Sequence, residues 1–173
     1  MNRRLALKNI VIASGGLITL PFWMGCQTGD TPATHLSSFS SKEQKTLAAI
    51  TDTIIPAGAE VGALAMEVDK FLQKLVDNCY EKEVQDNVKL QLKSLDASAE
   101  TAYDHHFYDA TPAQRQELLS KLSKSSNKAE KDFFTLVRSE TIRGFSTSKE
   151  VMQKYLNYKI APGHYYGCVT VKA

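Results

Sequence analysis

Asp104-His105-His106, followed by Asp109, is the densest set of metal- or proton-handling side chains in this chain of 173 residues. Ligands on one helix share an ion when they stand three or four residues apart on one face. Adjacent histidines point about 100° apart, so His105 and His106 diverge. Asp109 reaches one of them only if the helix runs that far. The pattern reads as a polar helix end, where imidazolium groups sit well beside the carbonyl-rich terminus, and no metal is expected. Ser, His and Asp are all present, but no Gly-x-Ser-x-Gly elbow exposes a nucleophile. Gly58-Ala59-Glu60-Val61-Gly62 falls between helical segments rather than at a strand-to-helix turn, so it offers dinucleotide phosphates no cradle. Glu81 and Glu83 stand beside Lys82 on a solvated face. No catalytic and no cofactor-binding residue is expected.

The three cysteines form neither C-x-x-C nor C-x-x-C-H, which removes zinc ribbons, thioredoxin chemistry and covalent c-type haem. Cys79 continues an apolar helical stripe and Cys168 lies in the C-terminal tail. Three readings stay open: a Cys79–Cys168 bridge pinning the tail in an oxidising compartment, a free or intermolecular Cys168, and two buried thiols.

Charge is distributed unevenly. Residues 1–25 hold Arg3, Arg4 and Lys8, no acid, and the apolar or small run Ile10–Leu20. A basic start followed by an apolar stretch of this size reads as an export signal rather than a membrane span, which needs about 20 apolar residues. Arg3-Arg4-Leu5-Ala6-Leu7-Lys8 resembles a twin-arginine signal, the route for folded cargo; an ordinary secretory signal is the other reading. Trp23-Met24-Gly25-Cys26 resembles a lipobox, with Cys26 acylated and held in a membrane; cleavage nearby is the alternative. Loss of residues 1–25 removes three of the 21 basic residues and none of the 19 acids, leaving a formal charge of −1. Nothing in that balance favours nucleic acid. The expected location is the periplasmic side of the envelope, exported and membrane-anchored. The domains read as 1–25 signal, 26–38 polar tether and 39–173 a single helical domain.

The elements are helical throughout. Ser40-x-x-Glu43 is a capping box ahead of Leu47, Ile50, Thr51 and Ile54, and Pro56 and Gly58 stop that helix. From Val61, one face carries Leu64, Val68, Phe71, Leu72, Leu75, Val76 and Cys79. A third helix runs from Glu83 to Phe107 with Val84, Val88, Leu92, Leu95, Ala99 and Ala102 inward. Thr111-Pro112-Ala113-Gln114 is a second box with Pro at the first helical position, and that helix ends near Ser123. Asn127 to Arg143 follows, closed by Gly144. Thr147-x-x-Glu150 is a third box, opening a last helix to Tyr158. The tail Pro162-Gly163-His164-Tyr165-Tyr166-Gly167-Cys168 is extended and aromatic. The fold class is all-α: a compact bundle of five or six helices with an aromatic C-terminal tail. The tail either packs on the bundle's own core or docks on a partner, where tyrosines are enriched.

Two stretches resemble a known family. Thr51-Asp52-Thr53-Ile54-Ile55-Pro56, Gly62-Ala63-Leu64 and Phe71 look like the N-terminal half of the gluconate 2-dehydrogenase subunit 3 family. Gly144 to Glu150 and Pro162 to Cys168 look like its C-terminal half. Val61 departs from the Pro that often precedes Gly-Ala there. The resemblance implies a small non-catalytic subunit of a membrane-associated dehydrogenase. It implies a large partner that carries FAD, belongs to the glucose-methanol-choline group, oxidises sugars or sugar acids, and passes electrons to a cytochrome c subunit. It also implies that the small subunit's signal (Arg3, Arg4) exports the folded pair, with Cys26 as lipid anchor and Pro162, Gly163, His164, Tyr165, Tyr166 and Gly167 as docking residues. The competing expectations are a lipid-anchored helical binding module without a flavoenzyme, and a metal enzyme using His105, His106 and Asp109.

Overall fold

The computed structural model describes residues 37–161, 163, 167 and 168. All of these lie in Ser37–Ala173, the second of two units into which the chain divides at Leu36. The expected signal with Arg3 and Arg4, the anchor Cys26, and Pro162, His164, Tyr165 and Tyr166 lie outside the described residues. Ser37 and Ser38, read above as the end of the tether, belong to the folded unit. The Ser38 backbone N–H donates to Asp77 Oδ2 at 3.0 Å, and its hydroxyl bonds to Oδ1.

The described residues form six α-helices and no strand: α1 Ser41–Ile54, α2 Val68–Cys79, α3 Lys82–Tyr103, α4 Pro112–Ser123, α5 Lys128–Ser146 and α6 Lys149–Lys154. Short 3₁₀ turns at Leu64–Met66 and Phe107–Asp109 precede α2 and α4. No helix among the described residues is long and apolar enough to cross a membrane.

Two of the expected capping boxes close. The Ser40 backbone N–H donates to Glu43 Oε2 at 2.7 Å, and the Glu43 N–H returns to Ser40 Oγ at 3.4 Å. The Thr111 N–H donates to Gln114 Oε1 at 2.9 Å, answered by the Gln114 N–H to Thr111 Oγ1 at 3.4 Å. Each pair satisfies backbone donors that the first turn leaves without carbonyl partners. Asn127 caps α5 through the Ala129 N–H at 3.0 Å.

Helix α1 is the hub, in contact with α2, α3, α4 and α5. Its Leu47 and Ile50 meet Leu72 and Val76 of α2, Val88, Leu92 and Leu95 of α3, Leu118 and Leu119 of α4, and Phe133 and Val137 of α5 in one buried cluster. Each large side chain there contributes about 1.5–3 kcal/mol by leaving water. Thr51 and Thr141 are also fully buried. Their hydroxyls donate to carbonyls of their own helix, Ala48 at 2.8 Å and Val137 at 2.6 Å, which removes the cost of an unpaired buried donor.

Several boundaries differ from the sequence expectation. Helix α2 starts at Val68, not Val61, because Glu67 takes a left-handed conformation at φ 52° and separates it from the 3₁₀ turn; Leu64 is consequently exposed. Helix α3 stops at Tyr103 because Asp104, at φ 60°, caps it and turns the chain. Ala102 faces solvent rather than the core. Cys79 is also exposed: it is the last residue of α2, past the point where neighbouring helices cover the stripe, so the buried-thiol reading of Cys79 fails. Gly144 does not close α5. It sits inside the helix, buried, where a Cβ would come within 2.6 Å of Phe71 Cδ1 and 3.3 Å of Val68 Cγ1. The absence of a side chain is what lets α2 and α5 approach. Thr147 caps the C-terminal end of α5, its hydroxyl donating to the Arg143 carbonyl at 2.8 Å. No third capping box forms, because Ser148 is the residue before α6 and makes no side-chain cap. Helix α6 ends at Lys154, four residues short of Tyr158.

Candidate functional site

Two places collect side chains with chemical or docking potential. The first is the end of the bundle that follows α1. The Ala63 N–H donates to the Ile55 carbonyl at 3.0 Å, closing the loop after α1. Inside that loop a Cβ on Gly62 would meet the Ala57 nitrogen at 2.5 Å and the Pro56 carbonyl carbon at 2.9 Å. Only glycine fits against backbone at that separation. On the helix before it, Asp52 pairs with Arg115 of α4 at 3.4 Å, and Arg115 Nη2 donates to the Tyr108 carbonyl at 2.9 Å. The residues of the Thr51–Pro56 and Gly62–Leu64 stretches thus hold the bundle's corner together. Phe71 and Gly144, one from each half of the sequence pattern, come into contact.

The chain after α6 leaves this end. The Tyr155 hydroxyl bonds to Glu60 of the loop, and that hydrogen bond holds the Tyr155 phenol above its ordinary range. Beyond it, Leu156 is 58% exposed, Tyr158 51% and Ile160 87%. Gly163, Gly167 and Cys168 are exposed as well. Pro162, His164, Tyr165 and Tyr166, on which the two readings of the tail turn, lie outside the described residues. Cys79 and Cys168 are both free, exposed thiols. Exposed apolar side chains in a contiguous stretch are the usual mark of an interaction surface. The exposure of Tyr155, Leu156 and Tyr158 was missed in the sequence because the last helix, opened by Thr147-x-x-Glu150, reads as running to Tyr158. The signal that could have exposed it is Asn157, at φ 50°, a residue type that tolerates the left-handed region.

Residues 41–163 match the sequence profile of the family described as gluconate 2-dehydrogenase subunit 3. The chain belongs to that family. No curated protein and no solved structure matches it. The gluconate 2-dehydrogenase subunit 3 family is an accessory subunit of a dehydrogenase complex, and the match takes in all six helices of the described residues and the first residues of the tail.

The second place is the turn after α3. His105 and His106 part company, as expected of neighbours: the His105 Nδ1–H donates to the Tyr103 carbonyl at the helix end. His106 instead folds back over α3, with Nδ1 2.9 Å from Asp96 Oδ2 and 2.7 Å from Glu100 Oε1. Asp109, the carboxylate expected beside the histidines, points its side chain to solvent and does not join this group. Asp96 and Glu100 were not singled out in the sequence. They stand four apart, the spacing that puts two side chains on one helix face, but the turn that brings His106 back to them has no sequence signature of its own. In this gluconate 2-dehydrogenase subunit 3 chain, the histidine cluster is therefore not the His105–His106–Asp109 set.

Proposed function

We propose that this chain is the non-catalytic small subunit that escorts, folds and anchors the flavin-bearing large subunit of a sugar or sugar-acid dehydrogenase of the glucose-methanol-choline type. In this reading the folded pair leaves the cytoplasm by the twin-arginine route under the signal carrying Arg3 and Arg4. Cys26 anchors it on the periplasmic side, FAD resides on the large subunit, and a cytochrome c subunit accepts the electrons. The observation that carries the reading is the family match over residues 41–163. It is supported by the exposed apolar segment Tyr155–Ile160, which leads into the aromatic tail Pro162–Cys168. Permanent subunit interfaces are large and apolar, burying over about 2,000 Å². Tyrosine suits them because it offers rigid area with a polar tip.

Affinity purification of the tagged full-length chain from its host's membranes, with a visible spectrum of the eluate, tests this directly. A stoichiometric large partner with flavin absorption is expected. A colourless lone chain from gently solubilised membranes would return the protein to the binding-module reading. Replacing Arg3 and Arg4 with Lys is expected to strand both subunits in the cytoplasm. A dehydrogenase that still reached the periplasm fully active would defeat the escort role.

A further inference from the structure

We propose that Asp96, Glu100 and His106 form a binding site for one divalent first-row transition-metal ion. Three side chains of the right chemistry converge: Asp96, Glu100 and His106 each offer one ligand atom, and the three atoms lie within 4.8 Å of one another. The imidazole nitrogen stands 2.9 and 2.7 Å from the two carboxylate oxygens. With metal–ligand bonds of about 2.0–2.2 Å and tetrahedral angles, ligand atoms stand roughly 3.3 Å apart. The imidazole needs to part from each carboxylate oxygen by only about half an ångström for an ion to take the place of the Nδ1 proton, which leaves to solvent. One imidazole with two carboxylates is a donor set that suits zinc, manganese or cobalt better than a thiol-seeking ion. The two carboxylate charges balance that of the ion.

The frame around the donors is already set. The Phe107 side chain is wholly buried, and its backbone N–H donates to Asp96 Oδ1 at 2.9 Å. That bond orients Asp96 through the oxygen facing away from His106, in the manner of the outer hydrogen bonds that steer metal-ligating carboxylates. The His106 ring stacks on Tyr108 with centroids 5.0 Å apart, and Tyr108 is tied through its carbonyl to Arg115. A cleft of about 210 Å³, lined by Asp96, Glu100, Glu43 and Ser40 together with Lys42 and Lys93, opens beside the carboxylates. Lys93 pairs with Glu43 at 3.7 Å on the wall of this cleft, a positive charge that weakens the attraction of the site for a cation. The site would clasp the Asp104–Ala110 turn to α3, whichever partner the subunit serves.

Zinc ion alone is the probe. The full-length chain in detergent, treated with EDTA and dialysed, has its cysteines alkylated so that thiols do not compete, and is titrated calorimetrically with Zn²⁺. One saturable site per chain is expected. Glu100→Gln and His106→Gln should each weaken it at least about tenfold, since each removes a ligand and losing even an outer hydrogen-bond partner of a ligand costs about 10–100-fold. His105→Gln should leave it unchanged. Glu100 is half exposed, so Glu100→Gln retains the fold, checked by circular dichroism. No saturable binding would overturn the proposal and leave a proton-bridged histidine and two acids. Binding untouched by Glu100→Gln, or weakened equally by His105→Gln, would overturn it too.

Discussion

Gly144→Ala should destabilise this protein, although alanine is the better helix former. Inside a helix the exchange stabilises by about 1 kcal/mol through propensity. Here the new methyl carbon would stand 2.6 Å from Phe71 Cδ1 and 3.0 Å from Cε1. Phe71 is half-buried, with the Arg143 guanidinium 5.8 Å from its ring centre, so the ring has little freedom to withdraw. Overpacking of this kind costs about 1–3 kcal/mol. The difference is a net loss of about 1 kcal/mol, or a fall in Tm of roughly 3 °C for a chain of this size. The reasoning makes a sharper claim through Phe71→Ala. With the ring gone, the nearest remaining neighbour is Val68 Cγ1 at 3.3 Å, a close contact that is relieved once the valine shifts by a few tenths of an ångström into the space the ring leaves. Gly144→Ala should then stabilise by about 1 kcal/mol. Urea denaturation followed by circular dichroism on the four proteins of this cycle measures a coupling of about 2 kcal/mol, well above the roughly 0.3–0.5 kcal/mol by which independent sites fail to add. If Gly144→Ala stabilised the protein with Phe71 present, or changed stability equally in both backgrounds, the close α2–α5 approach would not be what requires glycine.

Other outcomes follow from the same geometry. Thr111→Ala removes the side-chain half of the second capping box and should cost about 1 kcal/mol in denaturant unfolding, while Thr111→Ser should cost much less. The Tyr80 phenol is held above its ordinary range by burial first and then by Glu140, whose Oε1 accepts its hydroxyl at 3.2 Å. The folded state therefore keeps that proton longer than the unfolded chain does. Its contribution is fully present below about pH 10 and falls as pH rises through the folded value, so Tyr80→Phe should flatten the alkaline decline in Tm.

Much of the architecture can be read without coordinates, and the reason is local. Capping boxes satisfy backbone donors within four residues, so Ser40-x-x-Glu43 and Thr111-Pro-Ala-Gln114 announce their helices whatever surrounds them. Apolar periodicity likewise reports the inward faces of α1, α3 and α5, because a helix buries one face in any bundle. The places where that reading slips are those where non-local packing decides. Gly144 looks like a stop signal, and only the presence of Phe71 across the interface turns it into a contact point. Thr147 and Glu150 have the spacing of a box, yet the C-terminal turn of α5 claims the threonine hydroxyl first. Asp104 and Glu67 adopt left-handed conformations that neither residue type demands.

The same division holds at the sites. Residue types and order alone carry the family resemblance, the helical class and the divergence of His105 from His106, since adjacent residues on a helix or at its end cannot share a direction. Where His106 goes instead is a tertiary fact. It depends on Asp104 reversing the chain and on Phe107 finding a place in the core, and those two events, past the end of the helix that carries Asp96, deliver an imidazole to a pair of carboxylates. The exposure of Tyr155, Leu156, Tyr158 and Ile160 is decided in the same way: their apolar character is written in the chain, but only the packed bundle shows that no helix of the described residues covers them.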